Sequence, residues 1–387
     1  MLCLMRTQVA IVGGGPAGLM LGRLLELRGI ETVVIERRDR EYVQQRVRAG
    51  VLEQATMDLM DEIGLGERMH AEGLVHEGVE LRFDGEGHRI ALSDLTGGRA
   101  ITIYGQQEVV KDLIGARLES GLPLLFEVDD VSVDPTGVVR FTHEGSDQVL
   151  EAEVIAGCDG FHGVCRPTIA SELTVYEREY PFGWLGILAH CSPSSEELIY
   201  AHHERGFALA SMRSHEVTRM YLQCEPDEDA ALWSDQEIWN ELDRRFGMSV
   251  NRGDVFEKGV TPMRSFVVEP MQHQRLFLAG DAAHIVPPTG AKGLNTAMAD
   301  VYLLAHAIED SYRGDSSGLD AYSARALERV WRVQHFSWWM TSMLHRFAGD
   351  DDFQMKIQQS QLLYTARSTA QATALAENYV GMPFRAR

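Results

Sequence analysis

Three glycines near the start of the chain have the spacing of a dinucleotide-binding turn. Gly13, Gly15 and Gly18 fill a G-x-G-x-x-G pattern that includes Ala17 and directly follows an apolar segment. Glycines at these positions allow a tight turn and a close approach to a pyrophosphate, and an acid about twenty residues later accepts from a ribose hydroxyl. Glu36 stands at that position. The alternative is a plain βαβ crossover without a ligand, but the complete pattern favours a dinucleotide site.

A second glycine-rich segment, residues 276–295, has related chemistry near the other end of the chain. Its apolar start predicts a buried strand that ends at Gly280 and Asp281, and a loop with two prolines then leads into a helix over residues 294–308. A strand, a turn and a helix N-terminus together bind an anion or the polarised edge of a ring. The Asp281 carboxylate could accept from ligand hydroxyls, or it could simply cap a tight turn.

Two further groups of residues lie beside these turns. Asp159 and Gly160 end another short strand, where the carboxylate either completes a turn or fixes a loop between two ligands. A mostly basic cluster follows Glu36, and its members are Arg37, Arg38, Tyr42, Arg46 and Arg48. Guanidinium groups suit phosphates, so the cluster as a whole favours phosphate contacts. Each member alone is also consistent with a solvated surface.

Polar side chains alternate along two predicted strands in the middle of the chain. Because successive side chains of a strand point to opposite faces, each strand groups three residues: Leu209, Ser211 and Arg213 in residues 207–213, and Arg219, Tyr221 and Gln223 in residues 218–223. A hydroxyl, a guanidinium and a phenol from these sets could converge on one carboxylate. The alternative is a polar strand face directed to solvent.

The remaining pattern predicts the elements that position these residues. Strands are predicted at residues 8–12, 32–35, 77–83, 100–104 and 154–157, with a β-meander over 128–154 and further strands at 184–190, 197–201, 207–213 and 218–223. Helices are predicted at residues 19–28, 50–67, 106–119, 233–246 and 294–308, and along most of the chain beyond 310. Residues 377–383, which include Tyr379, are predicted to form a short non-helical tail. The fold class is therefore α/β. Residues 1–173 and 271–387 form a Rossmann-like βαβ domain, residues 174–270 an inserted, mainly antiparallel substrate domain, and residues 312–387 a helical region.

Composition excludes several classes of function. The chain has 387 residues, ordinary hydrophobic content (45%) and a formal net charge of -21, which argues against nucleic acid and anionic membranes as partners. No apolar run is long enough to span a membrane, and the Gly-interrupted N-terminus is not typical of a signal peptide. The strand begins just after Met5, so either Met1 or Met5 could be the start. Few, scattered cysteines argue against metal clusters and fit a reducing cytoplasm.

The three separated motifs together resemble the class A flavoprotein aromatic hydroxylases. The resemblance extends to blocks at residues 48–54, 180–186, 264–271, 280–295, 336–341 and 377–381, and it covers residues 5–383. It implies an FAD domain of the glutathione reductase type, with FAD and NADPH as cofactors. The implied reaction is the hydroxylation of 4-hydroxybenzoate by O2 to protocatechuate, through a C4a-hydroperoxyflavin, in the catabolism of aromatic compounds. The resemblance and the aromatic residues 336–340 also imply a homodimer.

The resemblance also assigns roles to individual residues. Glu36 would bind the FAD ribose and Asp281 the ribityl–pyrophosphate region, while the flavin would be surrounded by Arg48, Gln106, Gly290, Lys292, Leu294 and Asn295. NADPH would meet Arg37, Arg38, Tyr42, Arg46, His162 and Arg264, where Arg38 departs from the residue usual in the family. The substrate carboxylate would bind Ser211, Arg213 and Tyr221. The phenol would contact Tyr200, and a proton relay would continue through Tyr379 to His76. The Pro288 carbonyl would face the ring, and Lys292 would add positive potential.

Two other functions stay open at this point. A sister hydroxylase acting on another phenol, such as 3-hydroxybenzoate or salicylate, would have a different set of hydroxyl groups around the ring. A flavin-binding redox sensor would retain FAD without substrate-stimulated NADPH oxidation. From local sequence alone, the position of His76 at the start of a strand favours a surface residue over part of a relay.

Overall fold

The computed structural model describes residues 3–46 and 50–384. In these residues the strands are β1 (Cys3–Val12), β2 (Thr32–Ile35), β3 (Val51–Glu53), β4 (Leu74–His76), β5 (Val79–Phe83), β6 (Glu86–Ile90), β7 (Ile101–Ile103), β8 (Leu124–Leu125), β9 (Asp129–Asp134), β10 (Val138–His143), β11 (Ser146–Gly157), β12 (Thr174–His190), β13 (Leu198–Ala201), β14 (Ala208–Met212), β15 (Val217–Cys224), β16 (Asp254–Glu269), β17 (Gln272–His273), β18 (Leu276–Leu278) and β19 (His284–Ile285).

The helices of the same residues alternate with the strands in the first half of the chain and dominate the end. They are α1 (Pro16–Glu26), α2 (Arg40–Gln45), α3 (Gln54–Glu62), α4 (Gly66–Glu72), α5 (Leu92–Leu95), α6 (Gln106–Glu119), α7 (Cys165–Thr168), α8 (Asp235–Phe246), α9 (Gly293–Tyr312), α10 (Ser317–Asp320), α11 (Tyr322–Leu344), α12 (Asp352–Arg367) and α13 (Thr369–Val380).

The first sheet is the predicted nucleotide-binding sheet. Its strands follow the order β17-β18-β11-β1-β2-β8, and β1 pairs in parallel with β11 on one side and β2 on the other. All four residues of β2 are buried, as expected for a parallel strand with both faces covered. Helix α1 packs against α6 and α9. The first βαβ unit therefore has the architecture that its glycine pattern predicts.

The second sheet carries the predicted substrate face. Its order is β19-β16-β12-β15-β14-β13-β5-β6, antiparallel except for the β13–β5 pair. Alternate residues of β15, such as Met220 and Leu222, are buried in a core with α8. The intervening residues Arg219 and Tyr221 consequently face the opposite side. Residues 174–270 supply β12 to β16, while β5, β6 and β19 join this sheet from outside that segment.

A third, small sheet has the order β3-β7-β4, and its strands come from the part of the chain between β2 and β8. The C-terminal helices α11 and α13 pack on a core that includes residues of the second sheet, such as Tyr200 and Phe207. The predicted α/β class, with a Rossmann-like sheet and a helical C-terminal region, is confirmed. In the described part of the chain, no helix is both long and apolar enough to cross a membrane.

Two local predictions were wrong. Residues 50–67 do not form one helix, because Val51–Glu53 pair with β7 as strand β3 before α3 begins. Tyr379 does not lie in a non-helical tail but near the end of α13, where it is buried. In both places tertiary contacts outweigh local propensity: one segment completes a sheet edge, and the other buries an apolar helix face.

Candidate active site

A narrow cavity lies on the face of the second sheet opposite α8. Strands β12 to β15, the small sheet and the loop before α9 all contribute to it. Apolar side chains such as Ile103, Leu198 and Leu209 form part of the wall, and the polar lining consists of Tyr200, Ser211, Arg213, Arg219 and Tyr221. The predicted substrate residues Ser211, Arg213 and Tyr221 are thus brought together, and so are Tyr200 and Pro288.

The strand register accounts for this convergence. Ser211 pairs with Arg219, and Leu209 pairs with both Tyr221 on one side and Tyr200 on the other. Arg213 follows the end of β14, where its N–H donates to Val217 O at 2.8 Å. Gln223, predicted on the same face, turns away instead: its side-chain oxygen accepts from Phe207 N and Arg346 N.

The arginines make this cavity cationic. Burial and, next, the neighbouring Arg219 lower the pKa of Arg213 to about 10, which leaves the guanidinium charged at neutral pH. The Arg219 guanidinium lies 5.1 Å from the Tyr221 ring centroid, and its Nε and Nη1 atoms are buried without a hydrogen-bond partner in the described structure. Burying a cation without a compensating anion or polar group is costly, so the cavity has the electrostatics to hold a carboxylate.

Two tyrosines extend from the cavity into the C-terminal region. Tyr200 and Tyr379 are both buried, and their hydroxyl groups are hydrogen-bonded to each other. Burial raises the pKa of Tyr200 to about 12 and raises the pKa of Tyr379 well above its ordinary value. Both phenols are therefore neutral at physiological pH, and each can donate or accept a proton within the pair.

His76 is buried at the end of β4, and neither ring nitrogen has a hydrogen-bond partner in the described structure. Burial lowers its pKa to about 4. The structure therefore places a neutral imidazole in the interior but shows no hydrogen bond from it to Tyr379. The structure joins the first two residues of the predicted relay, Tyr200 and Tyr379, by a hydrogen bond. Proton transfer along this pair, and its last step to His76, stay predictions.

Lys292 lies behind the cavity with a counter-ion that the sequence did not indicate. Its ammonium group donates to Glu53 Oε1 at 2.7 Å and to the Tyr379 carbonyl at 2.8 Å, and burial lowers its pKa. Asn295 joins the same region: its side chain accepts from Glu53 N and Thr56 Oγ1, and donates to Val51 O and Ala291 O. The loop before α9 is thereby fixed to β3 and α3.

The N-terminal glycines form a cradle suited to a dinucleotide. A Cβ at Gly13 would lie 2.3 Å from Cys158 O and one at Gly18 would lie 2.0 Å from Gly13 O, whereas Gly15 faces open space. Helix α1 begins there with no side-chain cap and no acid in its first turn. The Glu36 carboxylate accepts from Gly14 N at 2.7 Å and Arg38 N at 2.8 Å. Free N–H groups at a helix start beside a placed carboxylate fit a pyrophosphate and a ribose.

The other two acidic motifs hold their loops in different ways. Asp159 Oδ2 accepts from Cys165 N at 2.8 Å, and Oδ1 is buried without a partner in the described structure. Burial raises the pKa of this carboxyl. Asp281 is exposed in a short 3-10 turn, Gly280–Ala282. The next helix, α9, begins at Gly293 without a side-chain cap or an acid in its first turn, and Gly290 (φ 91°) and Ala291 (φ 54°) shape the loop before it.

The residues predicted for NADPH form two surface clusters. Arg38 and Arg46 lie 4.9 and 5.9 Å from the Tyr42 ring on α2. In the other cluster, Phe161 contacts both the His162 ring and the Arg264 guanidinium. Arg264 is paired with Glu177 at 3.3 Å and Glu179 at 3.7 Å. Arg37 is exposed and Gln106 begins α6. Arg48 lies outside the described residues.

Sequence reasoning missed several residues of the site. Arg219 was placed on the correct strand face but was given no role, and nothing in the local pattern of Glu53 or Trp184 pointed to the cavity. Glu53 is only apparent as the partner of Lys292, 239 residues later. Trp184 is part of the 180–186 block that carried the resemblance, so its position was a usable signal.

Comparisons with known proteins agree with this geometry. Residues 6–337 match the family model described as FAD binding domain. The chain is 47% identical over 389 residues to p-hydroxybenzoate hydroxylase of Acinetobacter baylyi, covering 98% of this chain and 96% of that protein. It is 26% identical to 3-(3-hydroxy-phenyl)propionate/3-hydroxycinnamic acid hydroxylase of Mycolicibacterium smegmatis, over 82% of this chain and 57% of that protein. Among solved structures, p-nitrophenol 4-monooxygenase PnpA from Pseudomonas putida superposes with a TM-score of 0.81 at 18% identity, covering 97% of this chain and 98% of that one.

Proposed function

The chain belongs to the FAD binding domain family of flavoprotein aromatic hydroxylases, and from this premise we propose that it hydroxylates 4-hydroxybenzoate at the 3 position. The reaction would be 4-hydroxybenzoate + NADPH + H⁺ + O2 → 3,4-dihydroxybenzoate + NADP⁺ + H2O. The protein would thus act as a 4-hydroxybenzoate 3-monooxygenase with FAD as its resident cofactor. The similarity to the Acinetobacter hydroxylase over nearly both full lengths supports this assignment.

One observation carries the proposal: a single cavity presents carboxylate-binding groups beside a buried phenol. Ser211 lies two residues along β14 from Leu209, which pairs with Tyr200. Two residues of a strand span about 7 Å, which leaves room for one aromatic ring. A benzoate would place its carboxylate at Ser211, Arg213 and Tyr221, and its para hydroxyl would then reach the Tyr200 hydroxyl.

The chain's own residues would activate this substrate by managing one proton. Ring hydroxylation needs an electron-rich phenol, and a free phenol has a pKa of about 10. Tyr200 would accept the proton of the substrate hydroxyl and pass its own to Tyr379, to which it is already bonded. The cationic cavity would stabilise the phenolate that remains. Pro288 lies on the cavity wall, and its carbonyl would orient the ring. Release of the proton through His76 would complete the relay.

The cofactor would be held by the glycine turn, Glu36 and the uncapped start of α9. When bound, FAD supplies the chemistry that accepts hydride from NADPH and activates O2. The unsatisfied N–H groups at the start of α9 would stabilise negative charge on the flavin, and Asn295 and Lys292 would keep the loop before that helix in place. NADPH would contact the exposed cationic clusters around Tyr42 and Phe161.

The quaternary and domain organisation extend this proposal. We expect residues 174–270 to act as the substrate domain and the rest as the FAD domain. We also expect a homodimer, because the C-terminal helices expose large apolar side chains, among them Trp331, Trp338 and Phe353. Exposed aromatic clusters of this kind are typical of subunit interfaces. Sedimentation velocity would test this: a monomer at micromolar concentration would exclude the dimer.

NADPH oxidation with a panel of hydroxybenzoates tests the proposed function. Purified protein should retain FAD, and 4-hydroxybenzoate should accelerate NADPH oxidation and yield 3,4-dihydroxybenzoate by chromatography. If 3-hydroxybenzoate or salicylate were hydroxylated instead, the protein would be a sister hydroxylase, and the assignment to 4-hydroxybenzoate would be wrong. FAD retention without any substrate-stimulated oxidation would instead favour a redox sensor.

A further inference from the structure

A buried histidine lies directly behind the cavity wall, at the end of α11. His345 is completely buried, and both ring nitrogens are engaged. Nε2 accepts from the Trp184 indole N–H at 2.7 Å, and Nδ1 donates to Thr341 O at 3.0 Å. Trp184 is itself part of the cavity wall. The end of α11 is therefore connected to the cavity wall by one hydrogen bond, from Trp184 to His345.

Only one protonation state satisfies both bonds. The indole nitrogen can only donate, so Nε2 must carry a lone pair and Nδ1 must carry the hydrogen. A second proton on the ring would point at the indole N–H and leave two donors opposed. Burial lowers the pKa of His345 to about 3, so the imidazole is a neutral acceptor at all physiological pH values.

The aromatic rings around this bond prevent the indole from turning. Trp184 and His345 are nearly coplanar, with an interplanar angle of 5°, and Phe207 stacks on both, 4.9 Å from Trp184 and 4.3 Å from His345. Phe182 also stacks on the imidazole at 4.7 Å. Beside the cavity, the Tyr221 ring packs 4.8 Å from Trp184. The orientation of the carboxylate-binding Tyr221 thus depends on a tryptophan whose orientation depends on His345.

A second contact holds the same helix end to the same sheet. Gln223 on β15 accepts from Arg346 N and from Phe207 N, both at 3.0 Å. Consecutive residues at the end of α11 are therefore attached to β12 through Trp184 and to β15 through Gln223. Two such bonds define the position of the helix end relative to the cavity wall, which favours a positioning role over mere filling of space.

From these contacts we infer that His345 is a positioning residue for the aromatic substrate, which holds the Trp184 indole and, through it, the Tyr221 phenol in place. This inference rests on the proposed function, since the affected ligand is the hydroxybenzoate. His345 itself touches neither substrate nor flavin in this role. Its substitution should weaken substrate binding and coupling, while the FAD site is left intact.

A pair of variants that differ by one methylene separates this role from simple packing. His345→Gln keeps an acceptor at the position of Nε2, whereas His345→Asn keeps a donor toward Thr341 O but is too short to reach Trp184. His345→Phe keeps the ring and removes the acceptor. His202→Phe is the matched control, because that histidine is also partly buried and bonded to a carbonyl of the α11 end, Leu344 O, but has no contact with Trp184.

The indole N–H signal of Trp184 in ¹⁵N-Trp-labelled, FAD-loaded protein gives a direct readout of the bond. The chain has six tryptophans, and Trp184→Phe identifies the signal by its loss. We expect an upfield shift in His345→Asn and His345→Phe, and a wild-type-like position in His345→Gln and His202→Phe. An unchanged signal in His345→Asn would overturn the inference, and it does so independently of the identity of the substrate.

Substrate titration, followed by flavin absorbance, gives the functional readout. Loss of the acceptor at His345 leaves the buried Trp184 N–H without a partner. This should raise the Kd for 4-hydroxybenzoate about tenfold and lower the amount of hydroxylated product formed per NADPH oxidised. His345→Gln should stay within about twofold of wild type. Equal impairment of the Gln and Asn variants, or no impairment of either, would contradict the positioning role. No spectral response of the wild type to 4-hydroxybenzoate would instead refute the proposed function.

Discussion

The aromatic cavity and the exposed clusters around Tyr42 and Phe161 use the same residue types in opposite environments. In the cavity, Tyr200 is buried and Arg213, Arg219 and Tyr221 are half-buried. Strand register places these side chains, and Tyr200 is hydrogen-bonded to Tyr379. On the surface, Arg38 and Arg46 are exposed beside Tyr42, and Arg264 is partly neutralised by Glu177. Charges in the cavity act over short distances in a low dielectric, whereas surface charges are screened by water and salt.

From this contrast we expect the cavity to select its ligand and the surface clusters only to attract theirs. A guanidinium withdrawn from water without its anion is costly, so we expect the cavity to prefer a carboxylate. An exposed arginine contributes typically less than about 1 kcal/mol. We therefore expect substitutions in the cavity to have large effects and those on the surface to have small ones.

The largest effect is expected for Arg213→Ala. Removing one member of a buried charge pair costs about 2–5 kcal/mol, so the Kd for 4-hydroxybenzoate should rise by at least about thirtyfold. Equilibrium titration monitored by flavin absorbance measures it. Arg219→Ala is a comparison within the same cavity, and an unchanged Kd in Arg213→Ala would remove this residue from carboxylate binding.

Acid should destabilise the buried region through His76. Its folded pKa, about 4, lies below the ordinary 6.5, so as pH falls the unfolded chain takes up the proton first. Stability that is complete above pH 6.5 is then lost toward pH 4, by up to about 3 kcal/mol.

Urea unfolding between pH 4 and 7 measures this slope, and His76→Gln should flatten it. Part of the slope should persist, because burial also lowers the pKa of His345 and His202. An identical slope in wild type and variant would show that His76 is not buried in solution.

Tyr200→Phe should slow hydroxylation about a hundredfold, within the range found for loss of a positioned acid–base group. Substrate binding should change little, because the side chains that would bind the substrate carboxylate are intact. A larger share of the NADPH should be oxidised without forming product. Product and hydrogen peroxide measured against NADPH consumed provide the test. If the variant still formed one product per NADPH oxidised, Tyr200 would be excluded as the start of the relay. Tyr379→Phe removes the other hydroxyl of the hydrogen-bonded pair and serves as the comparison.

The smallest effect is expected on the surface, for Arg38→Gln. Loss of one exposed charge should lower the kcat/KM ratio of NADPH over NADH only a fewfold. Steady-state kinetics with both nicotinamides, at low and high salt, measures the ratio. Arg40→Gln, an exposed change two residues later at the start of α2, is the control. An effect as large as that of Arg213→Ala would break the proposed contrast between the two regions.

The glycine turn and the strand faces were predictable because the information is local. Gly13 to Glu36 lie in one βαβ unit, where spacing alone determines which residues reach a pyrophosphate. Alternation in β14 and β15 likewise placed Ser211 and Tyr221 on one face, since successive side chains of any strand point in opposite directions. Helix α6 was predicted with its observed ends, Gln106–Glu119.

Other features depend on pairings that cross the whole chain. Val51–Glu53 became a strand only because β7 is available to pair with it. Lys292 obtained its counter-ion from Glu53, Tyr200 its hydrogen-bond partner from α13, and Trp184 its acceptor from the end of α11. No periodicity in a segment reports which distant segment will pack against it, because that outcome depends on the packing of the complete core.

The sequence by itself determined the presence of a dinucleotide-binding unit, the acidic charge balance and the polar face of the substrate sheet. Each of these follows from residue type and near-neighbour spacing. The tertiary structure alone decided which of those polar residues share one cavity and which buried charges are balanced. It also decided that His345, at the end of α11, accepts a hydrogen bond from Trp184 in the cavity wall. Burial sets the strength of each of these interactions, and burial is a property of the folded chain.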